Sequence, residues 1–520
     1  MNPIFHYGTD HLTAGIAIEI AGGQRKAVLA EEAIRAIRRS RGHVEEIVRN
    51  HATVYGINTG FGPLCDTKIS EEDTRQLQYN ILQSHSVGVG NPIPAEIAKL
   101  MLITKVHALA RGFSGVSLVT LERIIWHVDQ DIIPVVPEKG SVGASGDLAP
   151  LSHLFLPLIG LGEVYDGGEK QAAAAVLSKY NKAPVSLGPK EGLALINGTQ
   201  FILAFATKAV QRMHNALEIA DLVGALSLEG LMGSARPFDE RLHQLRAFPG
   251  CMYVAGHLRS LLENSEILNA HADCDRVQDP YSLRCMPQVH GASRQAWLHL
   301  KELVEIELNS VTDNPIIFSA EDTISGGNFH GQPLAMPLDY ATLATSELGN
   351  IADRRCYLML EGRYGLPKLL INDAGLNSGF MIPQYTSAAL VTENKTLCFP
   401  ASADSVPTSL GQEDHVSMGS ISGRKLHQVI DNLEYIQAIE LLYAVQALDF
   451  RRPLRSTPIL EACHDYVRTK VPFATQDRIF ANDISQLHQM ITDGSLLSIA
   501  NQAARSNEIK PHNYESFGVY

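Results

Sequence analysis

From about residue 200 onward, apolar residues recur at intervals of three and four, and this period constrains the fold more than any other feature of the chain. Trp297, Leu300, Val304, Leu308 and Val311 follow it. So do Leu334, Leu338, Ala341, Ala344 and Leu348, and then Leu426, Val429, Leu433 and Ile436. At 3.6 residues per turn each set falls on one face, the pattern of long helices that bury a stripe. Before residue 200 the helical segments, such as Glu31 to Asn50 and Glu71 to Gln83, are shorter. They are separated by Gly- and Pro-rich stretches: Gly56 to Pro63, Gly88 to Pro92, and Pro134 to Pro157. Such stretches punctuate structure as loops, and strand patterns are short and few. The chain therefore reads as mainly α: an irregular N-terminal domain over residues 1–200 and a bundle of long, mostly antiparallel helices over residues 201–520.

A chain of 520 residues that is 45% hydrophobic and 19% charged can bury a large core. Its net charge of −13 disfavours a nucleic-acid or anionic-membrane surface, which needs clustered Lys and Arg. The strongest apolar run, Leu154 to Leu161, is too short for a membrane span and is broken by Pro157 and Gly160. Met1 to Asp10 carries no basic-then-apolar leader pattern. Seven cysteines without a C-x-x-C pair read as thiols in a reducing compartment, not as a disulfide framework or zinc site. These features together predict a cytoplasmic enzyme. The 20 histidines show no H-E-x-x-H spacing, so no metal site is expected. No P-loop or strand-to-helix G-x-G-x-x-G is present, so no nucleotide cofactor is expected either.

The segment with chemical content is Gly140-Ser141-Val142-Gly143-Ala144-Ser145-Gly146-Asp147-Leu148-Ala149-Pro150. Gly146 has no Cβ, so its amide nitrogen can approach the Ala144 carbonyl at a tight bend. Closure with loss of water gives a five-membered imidazolone. Loss of the Ser145 hydroxyl as a second water leaves an exocyclic methylene, an electrophile made from the chain alone. The competing reading is a glycine-rich turn in which Ser145 or Asp147 caps a helix starting near Leu148. A serine nucleophile elbow fits poorly, because G-x-S-x-G needs glycine where Asp147 stands.

The same segment, Gly140 to His153, resembles the prosthetic-group loop of the aromatic amino acid ammonia-lyases. Five further stretches resemble that family in order: Val54-Tyr55-Gly56-Ile57-Asn58-Thr59-Gly60-Phe61-Gly62; Asn197-Gly198-Thr199; Gln278-Asp279-Pro280-Tyr281-Ser282-Leu283-Arg284-Cys285; Gly326-Gly327-Asn328-Phe329-His330; and Gln412-Glu413-Asp414-His415-Val416-Ser417-Met418. The resemblance implies the family's helical architecture, shared with fumarases. It also implies a 4-methylideneimidazol-5-one group formed autocatalytically from Ala144, Ser145 and Gly146, with no vitamin or nucleotide cofactor. The reaction implied is removal of ammonia across the α–β bond of an amino acid. A homotetramer would build each site from several subunits.

The resemblance also implies roles. Tyr55, on a loop hinged at Gly56, Gly60 and Gly62, is the general base; read alone it is a packing aromatic beside a turn. Arg284 holds the substrate carboxylate through its planar guanidinium; read alone it is an ordinary ion-pairing arginine. Tyr281, three residues earlier, shares a helical face with it and stabilises developing charge. Asn197, Gln278 and Phe329 line the site. Ser84 and His85 stand at the substrate-reading pair, where a polar side chain suits a polar ring better than phenyl. Glu413 matches the carboxylate of histidine lyases, where phenylalanine and tyrosine lyases usually carry an amide. It can accept an imidazole N–H, whereas opposite phenyl it would be a buried charge without a partner. Read alone, Glu413 is equally a helix-start carboxylate. Met286 and His290 depart from the histidine lyases, which often have Gln and an apolar residue there. The expectation is deamination of L-histidine to urocanate and ammonia. A tyrosine or other aromatic lyase or aminomutase stands as the alternative within the class, and a non-catalytic helical scaffold as the alternative outside it.

Overall fold

The computed structural model describes residues 2–50, 54–57, 59–60, 69–272, 276–509, 515–518 and 520. Asn58, Phe61, Gly62, Cys65 and Cys274 lie outside them. The N-terminal part carries helices α1 (Glu31–Arg49), α2 (Glu71–His85), α3 (Ala95–Ala110), α4 (Leu148–Phe155) and α5 (Glu191–Ile196). Short strand pairs lie between them. Val89–Pro92 runs antiparallel to Pro137–Lys139, and Ile133–Pro134, Glu163–Asp166 and Glu169–Ala172 form a three-stranded antiparallel sheet. Helix α2 starts at Ser70, whose hydroxyl accepts the N–H of Asp73 as a helix cap. The Leu154–Leu161 run bends where the sequence said: α4 stops at Phe155, a 3-10 turn covers Leu156–Ile159, and Gly160 closes it at φ +80°.

The long helices are α6 (Gln200–Gly230), α7 (Pro249–Leu262) and, after the single-turn α8 (Tyr281–Arg284), α9 (Met286–Leu308), α10 (Gln332–Leu360), α11 (Met381–Leu397) and α12 (Gly419–Asp449). The apolar stripes face inward: Trp297, Leu300, Val304, Leu308, Leu334, Leu338, Ala341, Leu348, Leu426, Val429, Leu433 and Ile436 are all buried. Val311, last of the first stripe, falls beyond the end of α9. Trp297 keeps its indole N–H satisfied by the Val210 carbonyl of α6, 2.8 Å away.

Of these, α6, α9, α10, α11 and α12 reverse direction in turn. Thr199 at the start of α6 meets Glu307 at the end of α9. Ser293 of α9 donates to Ala344 of α10. Gln384 of α11 donates to Asp353 of α10. Asn394 and Asn432 join α11 to α12. The alternate helices α6, α10 and α12 therefore point the same way. Their first turns converge: side chains added at Gly331 and Gly419, the residues opening α10 and α12, would both run into Ile202 near the start of α6. At the far end of the same trio, Arg355 of α10 and Glu440 of α12 form a fully buried bidentate pair, and Ser227 of α6 donates to the same carboxylate. Among the described residues no helix is long and apolar enough to cross a membrane.

His290, one of the two departures, has a packing role. Its Nδ1 lies 2.7 Å from Asp221 of α6, and both side chains are fully buried. Arg294 and His257 bind the same carboxylate, which holds its pKa well below the usual range against the opposing effect of burial. Met286 packs on Gly224 of α6, where any side chain would meet its sulfur.

Candidate active site

The converging ends of α6, α10 and α12 carry the Ala144-Ser145-Gly146 loop. Three first turns aimed at one place leave unpaired N–H groups and positive dipole ends there. Asp147 answers part of that: its buried carboxylate accepts the N–H groups of Phe201 and Ile202 at 3.1 and 3.0 Å, and the Ser141 hydroxyl at 3.0 Å. Asp147 precedes α4 but does not cap it with its side chain; it caps α6. Ser145 does not cap α4 either. Burial pushes the Asp147 carboxyl up to about 7, with its three hydrogen bonds opposing.

The loop is clamped on both sides. Gly198 donates to the Ser145 carbonyl at 3.2 Å, and Asp147 donates to the Gly198 carbonyl at 2.8 Å. Met418 donates to the Val142 carbonyl at 3.0 Å, and the Ser420 hydroxyl to the Ser141 carbonyl at 2.7 Å. The backbone is left-handed at Gly143, Ser145 and Gly146, with φ of +82°, +49° and +79°. Ser145 adopts this against the usual preference of a residue with a Cβ, a local strain of about 1 kcal/mol. A Cβ on Gly146 would collide with the Gly198 carbonyl, and one on Gly143 with Ser417. These are main-chain clamps that only glycine permits.

The Ser145 hydroxyl donates to Glu413 Oε1 at 2.9 Å. The other carboxylate oxygen accepts from Thr408 and Ser409, at 3.1 and 2.8 Å. Glu413 lies in a tight loop closed by backbone bonds between Thr408 and Glu413, six residues before α12 begins. The helix-start reading of this carboxylate therefore fails. His85, at the end of α2, is half-buried with Nδ1 3.0 Å from the Ser84 hydroxyl. Burial lowers its pKa, against the opposing effects of a hydrogen bond to the Ile81 backbone and of the Glu413 charge. The chain just beyond is fixed by Gly88, which donates to His153 Nε2 of α4 at 3.0 Å.

Asn197 is buried, and its Oδ1 accepts no hydrogen bond among the described residues. The Tyr55 turn rests on α5: Gly56, at φ +73°, leaves no room for a side chain against Leu193, four residues before Asn197. Phe329 is half-buried in the loop that ends at Gly331, and the neighbouring His330 stacks on His415 at 5.5 Å.

Gln278, Tyr281 and Arg284 stand elsewhere. The Arg284 guanidinium lies over the Tyr281 ring at 4.6 Å, as their spacing on one helical face predicted. Tyr281 is 71% exposed, and Arg284 Nε has no hydrogen-bond partner among the described residues. Helix α8 is anchored by Arg355, which donates to the Ser282 carbonyl at 3.3 Å. Arg355 sits near the end of α10, about 35 Å along the helix from the loop end at ~1.5 Å per residue. Glu440 gives about 30 Å along α12 by the same measure. Within one chain these three residues do not meet Ser145.

Sequence reasoning missed Thr408 and Ser409, which hold Glu413, and Lys105, which donates to the Asn197 carbonyl. Lys105 alone carried a signal, as a lone cation in the apolar run Leu100 to Val106.

The family described as aromatic amino acid lyase matches residues 12–469. Histidine ammonia-lyase of Myxococcus xanthus is 45% identical over 488 residues, covering 94% of this chain and 96% of its own. That of Sorangium cellulosum is 47% identical over 496 residues, with 93% and 96% covered. Among solved structures, histidine ammonia-lyase from Trypanosoma cruzi superposes with a TM-score of 0.90 at 37% identity, covering 100% of this chain and 98% of that one. Tyrosine aminomutase from Streptomyces globisporus superposes at 0.91 with 34% identity, covering 96% and 99%. With its three helix ends gathered on one glycine-clamped loop, the chain belongs to the aromatic amino acid lyase family.

Proposed function

We propose that this protein deaminates L-histidine to trans-urocanate and ammonia, using an electrophile that Ala144, Ser145 and Gly146 make from themselves. The observation that carries the reading is Glu413: a carboxylate, held by two hydroxyls, lies 2.9 Å from the Ser145 oxygen. An imidazole N–H gives Oε1 a donor in place of the Ser145 hydroxyl, which leaves when the ring forms, whereas a phenyl ring offers that oxygen none. The names of the near-full-length relatives at 44–47% identity agree with it.

The loop fits the group this family forms. Gly146 sits where any side chain would strike Gly198, and the left-handed backbone at Ser145 and Gly146 already bends the chain. Once formed, the 4-methylideneimidazol-5-one supplies an electrophile for the substrate's amine or ring. Glu413 orients and polarises the imidazole. Tyr55 takes the β-proton, His85 and Ser84 border the ring, Asn197 offers an unused amide oxygen, and Phe329 packs on the ring. Gln278, Tyr281 and Arg284 reach a site only from another copy of the chain, and Arg284 Nε, without a partner among the described residues, can donate to a carboxylate. An apolar stripe on α10 supports such an assembly, since Met336, Tyr340 and Leu343 are each about half exposed. A homotetramer that shares its sites accounts for both.

Incubation with L-histidine, L-tyrosine and L-phenylalanine, followed by the ultraviolet absorbance of the conjugated acids, tests the substrate. Urocanate from histidine is expected. Product from tyrosine and none from histidine, or a β-amino acid in place of the unsaturated acid, contradicts the reading.

A further inference from the structure

Lys105 is a fully buried cation on α3, a helix with apolar neighbours on nearly every side. Its ammonium has no carboxylate within hydrogen-bonding distance among the described residues. It donates to the Asn197 carbonyl at 2.6 Å and reaches Gln200 Oε1 at 3.4 Å. Asp313, the carboxylate whose charge acts most on Lys105, is taken by Lys190 at 2.8 Å and by Ser114 at 2.8 Å. A desolvated ammonium without a counter-ion costs several kcal/mol, so stability alone favours an apolar residue of the same length. Buried charge of this kind is a marker of function.

The Asn197 carbonyl belongs to the peptide whose N–H is that of Gly198, and that N–H donates to the Ser145 carbonyl at 3.2 Å. The Ser145 carbonyl in turn belongs to the peptide whose nitrogen is that of Gly146. One line of hydrogen bonds thus runs from the ammonium, through two peptide groups, to the nitrogen that must close the ring. Hydrogen-bonded amides polarise one another, so charge at the head of the line strengthens each donor along it.

Resting on the self-processing loop proposed above, we propose that Lys105 is a positioning residue for ring closure, drawing electron density from the Ser145–Gly146 amide through the Asn197–Gly198 peptide. The Gly146 N–H becomes easier to deprotonate. Its nitrogen bonds to the Ala144 carbonyl carbon, and that oxygen leaves as water with the Gly146 and Ser145 amide protons, giving the ring C=N bond. Ser145 then loses its Cα proton and its hydroxyl as the second water. No oxidant or reductant is required.

Burial lowers the Lys105 pKa to about 7; Asp313 and Asp147 raise it and Lys190 lowers it, while Glu307 lies beyond Asp147. The ammonium is therefore present below about pH 7 and lost above it.

The test uses the full-length chain, recovered unfolded and unprocessed from inclusion bodies. It is refolded at a series of pH values and sampled for intact mass. Lys105→Met keeps the length and removes the charge. The ratio of wild-type to K105M rates of water loss cancels the intrinsic pH dependence of amide chemistry. We expect K105M to be slower by about tenfold or more below pH 7, as a lost charged hydrogen bond implies, with the ratio falling toward one at higher pH. Gln200→Glu adds a carboxylate beside the ammonium and should extend the wild-type rate to higher pH. This arm stands even if K105M does not fold by circular dichroism against Ser145→Ala. Equal rates for folded K105M and wild type at every pH, or no alkaline shift in Q200E, would overturn the proposal. A wild-type chain that never loses water overturns instead the self-processing reading beneath it.

Discussion

The Gly198 carbonyl fills the space that a side chain on residue 146 would need, and the two glycines pair as a short parallel bridge. The bend that presents the Gly146 nitrogen is thus enforced by a neighbouring turn, not by the loop's own sequence. Gly146→Ala drives a Cβ into the Gly198 backbone, and Gly198→Ala drives one against the Gln200 and Thr312 side chains, with φ of +79° and +129° as added strain. Both variants should retain the full sequence mass, and both should be destabilised by roughly 1–3 kcal/mol in thermal or denaturant unfolding. Mass spectrometry of the purified variants checks the first outcome.

Glu413→Gln keeps the shape of the side chain and removes its charge. The Thr408 and Ser409 hydroxyls can still bond it. Activity on histidine should fall by about 10- to 100-fold, the loss of one charged hydrogen bond to the ring. Steady-state kinetics with histidine measure it. An unchanged kcat/KM would remove the imidazole role.

The separation of about 30–35 Å between the Ser145 loop and Arg284 along α10 and α12 predicts complementation. Ser145→Ala and Arg284→Ala should each be inactive alone. When the two chains are unfolded and refolded together, mixed oligomers should regain part of the wild-type activity, because some sites then hold both native residues. Activity that never exceeds that of the separate variants would show that one chain supplies the whole site.

Three histidines away from the loop set an acid limit on stability. Burial pushes His427 down to about 3, and His107 and His127 each to about 4. A lowered folded-state pKa means the neutral form is favoured in the folded protein. The stability it contributes is present above the unfolded value near 6.5 and is lost as the pH falls toward 3–4. The melting temperature should therefore drop steeply between about pH 6.5 and 4, and His427→Gln should flatten part of that drop. Asp147 works in the opposite sense: its raised pKa favours the protonated fold below about 7.

Much of this was legible in the residues. The three- and four-residue spacing around Trp297, Leu338 and Leu433 specified the long helices, because a buried stripe leaves a periodic record. Ser145 and Glu413 were identified separately, although 268 positions apart, and the fold brings them to 2.9 Å. What stayed hidden was distance. Tyr281 and Arg284 carry a motif as distinct as that of Ser145, yet nothing in a sequence places two motifs at opposite ends of one bundle. Lys105 reaches the loop through the Asn197 carbonyl, and a residue that works through a peptide carbonyl leaves no side-chain pattern to match. The competing reading makes Ser145 or Asp147 the cap of α4; the Asp147 carboxylate instead caps α6, which arrives beside it only after folding.

The intact mass of the purified wild-type chain tests the central claim most directly. The account predicts a value two waters below that of the sequence, with Ser145→Ala restoring the full mass. A chain of unaltered mass that still releases ammonia from histidine would contradict it.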